Sequence, residues 1–337
     1  MGETPTMQRY GMTIPFGGVP LHAQREWIEE LVDLGYTDVW SAETDGADAF
    51  TPLVLASVWA PTLRLGTAIV PAYTRGPALL AQSVGSMAQA APGRFAIGIG
   101  SSSNVIVEGW NSIPFDEPYK QVQAMVRFLR DALTGEKVTK DYGRFSVRSF
   151  RLGVRPPEPV PILVAALRDG MLRLAGREGD GAIVNWLSAD DVRTVVPHVA
   201  DGAAQSTREG DTGEREIAAR IFVIPNSDTD VARGAGRRMI AAYLNVPVYA
   251  AFHEWLGRGD DLKGMWDLWK DGDRAAALEA IPDHVVDDLI VHGAPEECRE
   301  KIARYIENGV TTPALAVMPF GVDMRDSIRA LSPSAAG

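Results

Sequence analysis

The feature that most limits what this chain can fold into is a repeated alternation. Short runs of aliphatic and β-branched residues are each followed by a helical stretch, eight times over. The strand-type runs are Arg9–Ile14, Asp38–Ala42, Arg64–Val70, Arg94–Gly100, Pro161–Ala166, Gly181–Trp186, Ile217–Ile224 and Thr312–Met318. A helix between two strands forces a crossover, so consecutive strands pair in parallel. Eight units predict a closed (β/α)8 TIM barrel rather than an open doubly wound sheet. The helices carry their own signals. Gly76-Pro77 places proline at a first helical position, where its missing N–H loses nothing. Val122, Met125, Val126, Leu129 and Leu133 share one face of a helix over 118–133. Ser188 and Asp191 have the spacing of a capping box. Two stretches break the rhythm and read as insertions, about 135–160 and about 246–292. The expected organisation is one barrel domain over residues 1–337.

Composition matters mainly for what it excludes. With 33 Lys+Arg against 44 Asp+Glu the chain stands at −11, which argues against a nucleic-acid surface. One cysteine, Cys298, excludes an internal disulfide framework and a thiolate zinc site. No run reaches the roughly 18 apolar residues of a membrane span. Residues 1–7 show neither the basic start nor the apolar run of a targeting peptide, so a cytoplasmic protein is expected.

In a barrel of this kind, function sits at the C-terminal ends of the strands. Glu43 lies just past the second strand and reads either as a ligand-contacting acid or as a solvated loop residue. Gly98 to Ser103 follows the fourth strand. It lacks the third glycine of a dinucleotide fingerprint, and no helix is expected directly after it. Small residues there suit the close approach of a flat ligand. None of the five histidines has metal-binding spacing, and His284, Asp287 and Asp288 read as a polar helix face. Glu43 and Glu108 are a conceivable carboxylate pair for glycoside hydrolysis. Trp255, Trp266 and Trp269 in the second insertion read as packing, with a pocket roof as the minor reading.

Taken in order, several stretches resemble the bacterial-luciferase-like flavin and deazaflavin oxidoreductases, especially the branch that uses coenzyme F420. They include Leu34 to Trp40 with Glu43, Leu65 to Pro71, Thr74 to Leu79, Pro92 to Gly100, and Val107 to Asn111. Pro161 to Ala166, Leu174 to Gly181 and Gly293 to Glu297 continue the match. The resemblance implies a barrel, often a homodimer, with the cofactor ring in its mouth. It implies a non-proline cis peptide at Ala68–Ile69, forming a bulge behind the ring. Glu43, the loop of Gly100, Ser101, Ser102 and Asn104, and the turn Ala165-Ala166-Leu167 would line the ring and its side chain. The phosphate would lie near the start of the fifth helix and the Asn185 loop. Arg75 and Arg168 are candidates for holding the polyanionic tail of F420. Relatives that oxidise sugar phosphates carry a histidine where this chain has Thr44 and an acid near Ser103, so that activity is not implied.

The expectation is therefore an F420-dependent oxidoreductase acting on a small organic substrate, with no metal and no catalytic residue beyond the candidate Glu43. The alternatives are a monooxygenase of the same fold using flavin mononucleotide (FMN), and a non-catalytic flavin- or deazaflavin-binding protein. A glycoside hydrolase comes last.

Overall fold

The computed structural model describes residues 8–336. The reading of residues 1–7 as free of a targeting signal lies outside the described residues. Eight parallel strands close a barrel: β1 Gly11–Thr13, β2 Asp38–Ser41, β3 Arg64–Thr67, β4 Phe95–Gly100, β5 Ile162–Ala165, β6 Gly181–Asn185, β7 Glu216–Ile224 and β8 Thr312–Val317. Each pairs with the next, β8 pairs with β1, and every pairing is parallel. The outer ring is α1 Arg25–Asp33, α2 Phe50–Trp59, α3 Pro77–Ala90, α4 Pro118–Ala132, α5 Asp169–Glu178, α6 Val192–Ala203, α7 Thr229–Leu244 and α8 Pro295–Glu307.

All eight expected strands form, one of them interrupted. The third run is not continuous. It breaks after Thr67 at the cis peptide Ala68–Ile69, and Val70–Pro71 resumes pairing with Ile99 and Gly100. The first helix, α1, opens at Arg25. A 3-10 turn at Leu21–Ala23 precedes it, and the Gln24 side chain ties down the loop by bonding Phe16 and Val19. The expected capping box forms before α6, with Ser188 N donating to Asp191 Oδ2 at 2.7 Å and Asp191 N to Ser188 Oγ at 3.1 Å.

Strand alternation sorts residues to two faces. Val39, Leu65, Ile97, Ile99, Val164, Val184, Ile221 and Leu315 point outward and join the core beneath the helices. Trp40, Leu163, Ile183, Ala218 and Ala314 fill the barrel interior. The bulk of Trp40 is matched by glycine opposite it. A Cβ on Gly66 would stand 2.3 Å from Trp40 Cζ3. The N-terminal end of the barrel is closed by a polar plug. Arg64 donates to both oxygens of Glu216, each at 2.7 Å, and to Asp38 at 3.1 Å, and Thr312 Oγ1 donates to Glu216 at 2.7 Å.

Both insertions fold. The first holds an antiparallel hairpin, Val138–Asp141 with Ser146–Phe150, whose Phe145 and Phe150 pack on Phe128 of α4. The second is four short helices, Pro247–Trp255, Gly259–Lys270, Arg274–Glu279 and Asp283–Leu289. They form a second apolar core with α7.

Candidate active site at the barrel mouth

At the C-terminal ends of β3, β4 and β5 stands a wall of small and aliphatic residues. Ala68, Ile69 and Ala165 pack on the inner cluster. Gly100 completes the surface. A Cβ there would stand 2.8 Å from Ala165 Cβ and 3.2 Å from Ile69 Cδ1, so only glycine keeps the wall level. Backbone bonds fix the bulge. Ala68 N donates to Ser41 O at 2.6 Å, Glu43 N to Ile69 O at 3.1 Å, and Ala72 N to Gly100 O at 2.8 Å.

Of the residues expected to line the mouth, Ala68, Ile69, Gly100 and Ala165 come together. Ala166 does not join them. It follows Ala165 by one position, faces the opposite side and sits in the outer core, with its N–H on Ile183 O at 3.0 Å. Leu167 also packs on that outer core. Alternation carried one step past Ala165 turns Ala166 outward, and Leu167 follows it because β5 has ended and the two-residue period no longer holds. Ser101 and Ser102 are partly buried and Asn104 is exposed. Ser102 takes a left-handed φ of 62°, uncommon without glycine, as the chain leaves β4. The expectation that no helix follows this loop is corrected: a π-type helical turn, Val105–Trp110, opens directly after Asn104.

The acid Glu43 is not a free base. Its carboxylate accepts hydrogen bonds from Arg75 and from Ala49 N, the latter at 3.3 Å, and Arg75 lies over the Phe50 ring at 4.9 Å. Arg75, a candidate for the tail, thus already has a carboxylate partner. The pair also removes Glu43 from any carboxylate partnership with Glu108, which is exposed on the helical turn. Arg168 differs. It caps α5 from an extended conformation and is exposed. The free N–H groups of the first turn of α5 lie beside it, a setting that favours an anion.

On the far side of the mouth stands a group that the sequence reading passed over. Arg220 sits inward on β7, between Ala218 and Phe222, with its guanidinium 5.0 Å from the Phe222 ring. Tyr243 and Tyr249 flank it, and burial works against its charge. Tyr249 in turn accepts from Asn185 Nδ2 at 3.3 Å. Trp186, next to Asn185, has a left-handed φ of 53° and is clamped by Phe222 at 4.3 Å and Tyr243 at 4.9 Å. A bulky residue in that region is an outlier that the surroundings must impose. The signal available in the sequence was the arginine itself, the one charge inside the apolar run Ile217–Ile224.

The remaining candidates resolve as packing or surface. Trp266 Nε1 donates to Leu244 O at 3.0 Å, and Trp255 stacks on Phe252, so neither roofs the mouth. His284 pairs with Asp261 and Asp287 with Arg233. Among the described residues no group of three or more His, Cys, Asp or Glu is placed to hold a metal.

Comparison with known proteins agrees with this architecture. A family model described as luciferase-like monooxygenase matches residues 4–312. A 5,10-methylenetetrahydromethanopterin reductase of Archaeoglobus fulgidus is 25% identical over 309 residues, spanning 90% of this chain and 91% of that one. Among solved structures, the coenzyme F420-dependent tetrahydromethanopterin reductase of Methanopyrus kandleri superposes with a TM-score of 0.81 at 20% identity, over 98% of each chain. An F420-dependent secondary alcohol dehydrogenase in complex with an F420–acetone adduct follows at 0.76 and 19%, over 97% of this chain and 99% of the other. At these identities the solved structures speak for the fold alone.

Proposed function

The chain belongs to the luciferase-like monooxygenase family, and on that premise we propose that it is an oxidoreductase moving a hydride between coenzyme F420 and a small organic substrate. The observation that carries the reading is the level wall of Ile69, Gly100 and Ala165, which a single Cβ at position 100 would break. Such a wall suits the face of a planar tricyclic ring. When bound, the deazaflavin supplies the hydride chemistry, and the protein supplies orientation and exclusion of water. Ala68, Ile69, Gly100 and Ala165 do the orienting. Glu43 positions the bulge through its N–H on Ile69 O, while Arg75 holds its carboxylate. Arg168 and the first turn of α5 are suited to the negative charge of the cofactor's side chain. Likeness to a putative coenzyme F420-dependent oxidoreductase of Mycobacterium tuberculosis, 24% identical over 319 residues, also supports the F420 branch.

The choice between F420 and FMN rests on that charge. The F420 tail is polyanionic, so in a chain at −11 it needs a local cation. Dissociation constants for both cofactors at low and high salt test the choice. F420 is expected to bind more tightly than FMN and to weaken with salt, because exposed charges are screened. Arg168→Ala is expected to weaken F420 about two- to fivefold, the scale of an exposed charge contact. Tighter binding of FMN with no F420 binding at low salt would favour the monooxygenase reading instead.

The outer surface supports a homodimer. Neither α2 nor α3 contains a charged residue, and the two helices pack side by side. Of six large apolar side chains left exposed among the described residues, Val54, Val58 and Leu79 lie on these helices, with Val58 at 74%. An apolar, uncharged face of this kind marks an association site. Val58→Glu is expected to convert a dimer to a monomer in light scattering, with the thermal melt of the barrel retained. A wild-type monomer at micromolar concentration would count against the interface.

A further inference from the structure

Arg220 is a cation of the mouth with no acid to answer it among the described residues. It points inward from β7, and its guanidinium reaches 5.0 Å from the ring of Phe222, two residues nearer the C-terminal end of the strand. The side chain therefore leans toward the mouth. Its Nε is closed off from solvent, but the residue keeps some exposure and its Nη groups are not enclosed. Arg64, Glu216 and Asp38 shut the N-terminal end of the barrel, so that exposure faces the mouth. The ionisable groups beside it are the phenols of Tyr243 on α7 and Tyr249 on the first helix of the second insertion. Burial raises Tyr249 above the ordinary phenol value, so it stays neutral. Arg75, by contrast, is answered by Glu43. An enclosed charge without a counterion is costly to keep.

The wall is close by. Arg220 and Ala68 border the same gap, whose volume of about 10 Å³ has room for one water and no larger ligand. Thr13 Oγ1 and Trp40 Nε1, also without protein partners, border it too. A planar ring lying on Ala68, Ile69, Gly100 and Ala165 would thus have the arginine beside its edge. We infer that Arg220 stabilises negative charge on the bound cofactor ring. The inference rests on the F420 reading, since it assigns a role within that same site. The ring becomes negative in two ways. Its acidic hydroxyl, on losing a proton, leaves a charge spread over the tricycle. A hydride brings two electrons and one proton, so a neutral ring gains one negative charge until solvent supplies a second proton, and the substrate that gave the hydride is left oxidised. A fixed cation aimed at that charge favours both states without reorganising. The apolar wall alone would act the other way, because burial disfavours a charged form. Arginine suits the task because it stays charged where a lysine would readily lose its proton.

The test is a spectrophotometric pH titration of F420, free and bound, because loss of the ring proton changes its visible absorption. Binding to the wild type is expected to lower the midpoint by about one pH unit or more, the scale of a nearby opposite charge. Arg220→Met should return the midpoint to the free value or above it, since burial then acts alone. Arg220→Lys, which keeps a cation, should recover part of the lowering. Affinity gives a second reading. At a pH where the ring is anionic, Arg220→Met should weaken F420 about tenfold, the same difference expressed in binding. At a pH where the ring is neutral, affinity should stay within about twofold of wild type. A variant that merely loosened the packing would weaken both forms alike. If Arg220→Met fails to fold, Arg220→Gln takes its place, and the wild-type midpoint is read against free cofactor in any case. A bound midpoint at or above the free one, equal midpoints in wild type and Arg220→Met, or an affinity loss independent of pH would overturn the inference. Failure of F420 to bind the wild type strikes the cofactor reading instead, and the N3 proton of bound FMN then decides the inference by the same comparison. Failure of both rings to bind overturns the two together.

Discussion

Gly100→Leu is expected to lower deazaflavin affinity on the order of 100-fold while the barrel stays folded. The Cβ alone would meet Ala165 Cβ at 2.8 Å and Ile69 Cδ1 at 3.2 Å, and the rest of the side chain must go somewhere. Ala165 sits on β5, and Ile69 is held in the bulge by Glu43 N, so neither retreats easily. The leucine therefore projects into the mouth and occupies the face proposed for the ring. Overpacking in a rigid site costs about 1–3 kcal/mol before any lost contact is counted. Calorimetric titration with F420, alongside a circular dichroism melt, separates blocked binding from unfolding. An intact melt with wild-type affinity would remove the wall from the cofactor site.

The second large effect lies at the opposite end of the barrel. Arg64→Met is expected to destabilise the fold by about 3–5 kcal/mol, because it removes the bidentate partner of the half-buried Glu216 and leaves the buried Asp38 with only the longer Arg9 pair at 3.4 Å. In a chain of this size that is a fall in melting temperature of roughly 4–7 °C. The pH dependence has a definite sign. Burial by itself raises the Glu216 carboxyl, but the hydrogen bond and charge of Arg64 outweigh it and hold the group below its ordinary 4.5. A depressed acid contributes stability above its unfolded value and loses it as pH falls through the folded one. Without Arg64, burial is left to push the carboxyl upward. The charged form then costs stability at neutral pH, and protonation relieves it. The gap between variant and wild type should be widest near neutrality and shrink as pH falls through 4.5 and below. A gap independent of pH would mean that Arg64 acts through packing against Trp40, whose ring it approaches at 5.5 Å, rather than through charge.

The barrel itself was legible because its signal is long-range repetition. Each apolar run is short, but eight in alternation with helices leave few topologies. The site was legible in part. Gly100, Ile69 and Ala165 stand at strand ends and are small or aliphatic, which sequence position conveys. What position cannot convey is which way a residue faces once a strand has ended. Ala166 illustrates this, one step from Ala165 and on the other side of the wall. Ion pairs between distant segments are also hidden. Glu43 and Arg75 are 32 positions apart, and nothing local says that they meet. Arg220 was missed for a different reason. A charge within an apolar strand run reads as the polar half of an alternation, whereas in a closed barrel the inward face is no more solvent than the outward one. The orphan donors of Thr13 and Trp40 are invisible until the neighbours that fail to pair with them are in place.

The lone cysteine has a practical consequence. Cys298 is fully enclosed in α8, and burial pushes its thiol up to about 12. At neutral pH the native chain thus offers thiol reagents almost no nucleophile. Modification must wait for the protein to open, so the labelling rate becomes a clock for that opening, readable without denaturant. The same silence leaves any cysteine introduced elsewhere as the sole reactive position. A single probe at the barrel mouth or on α2 would then report ligand entry or subunit contact against a dark background.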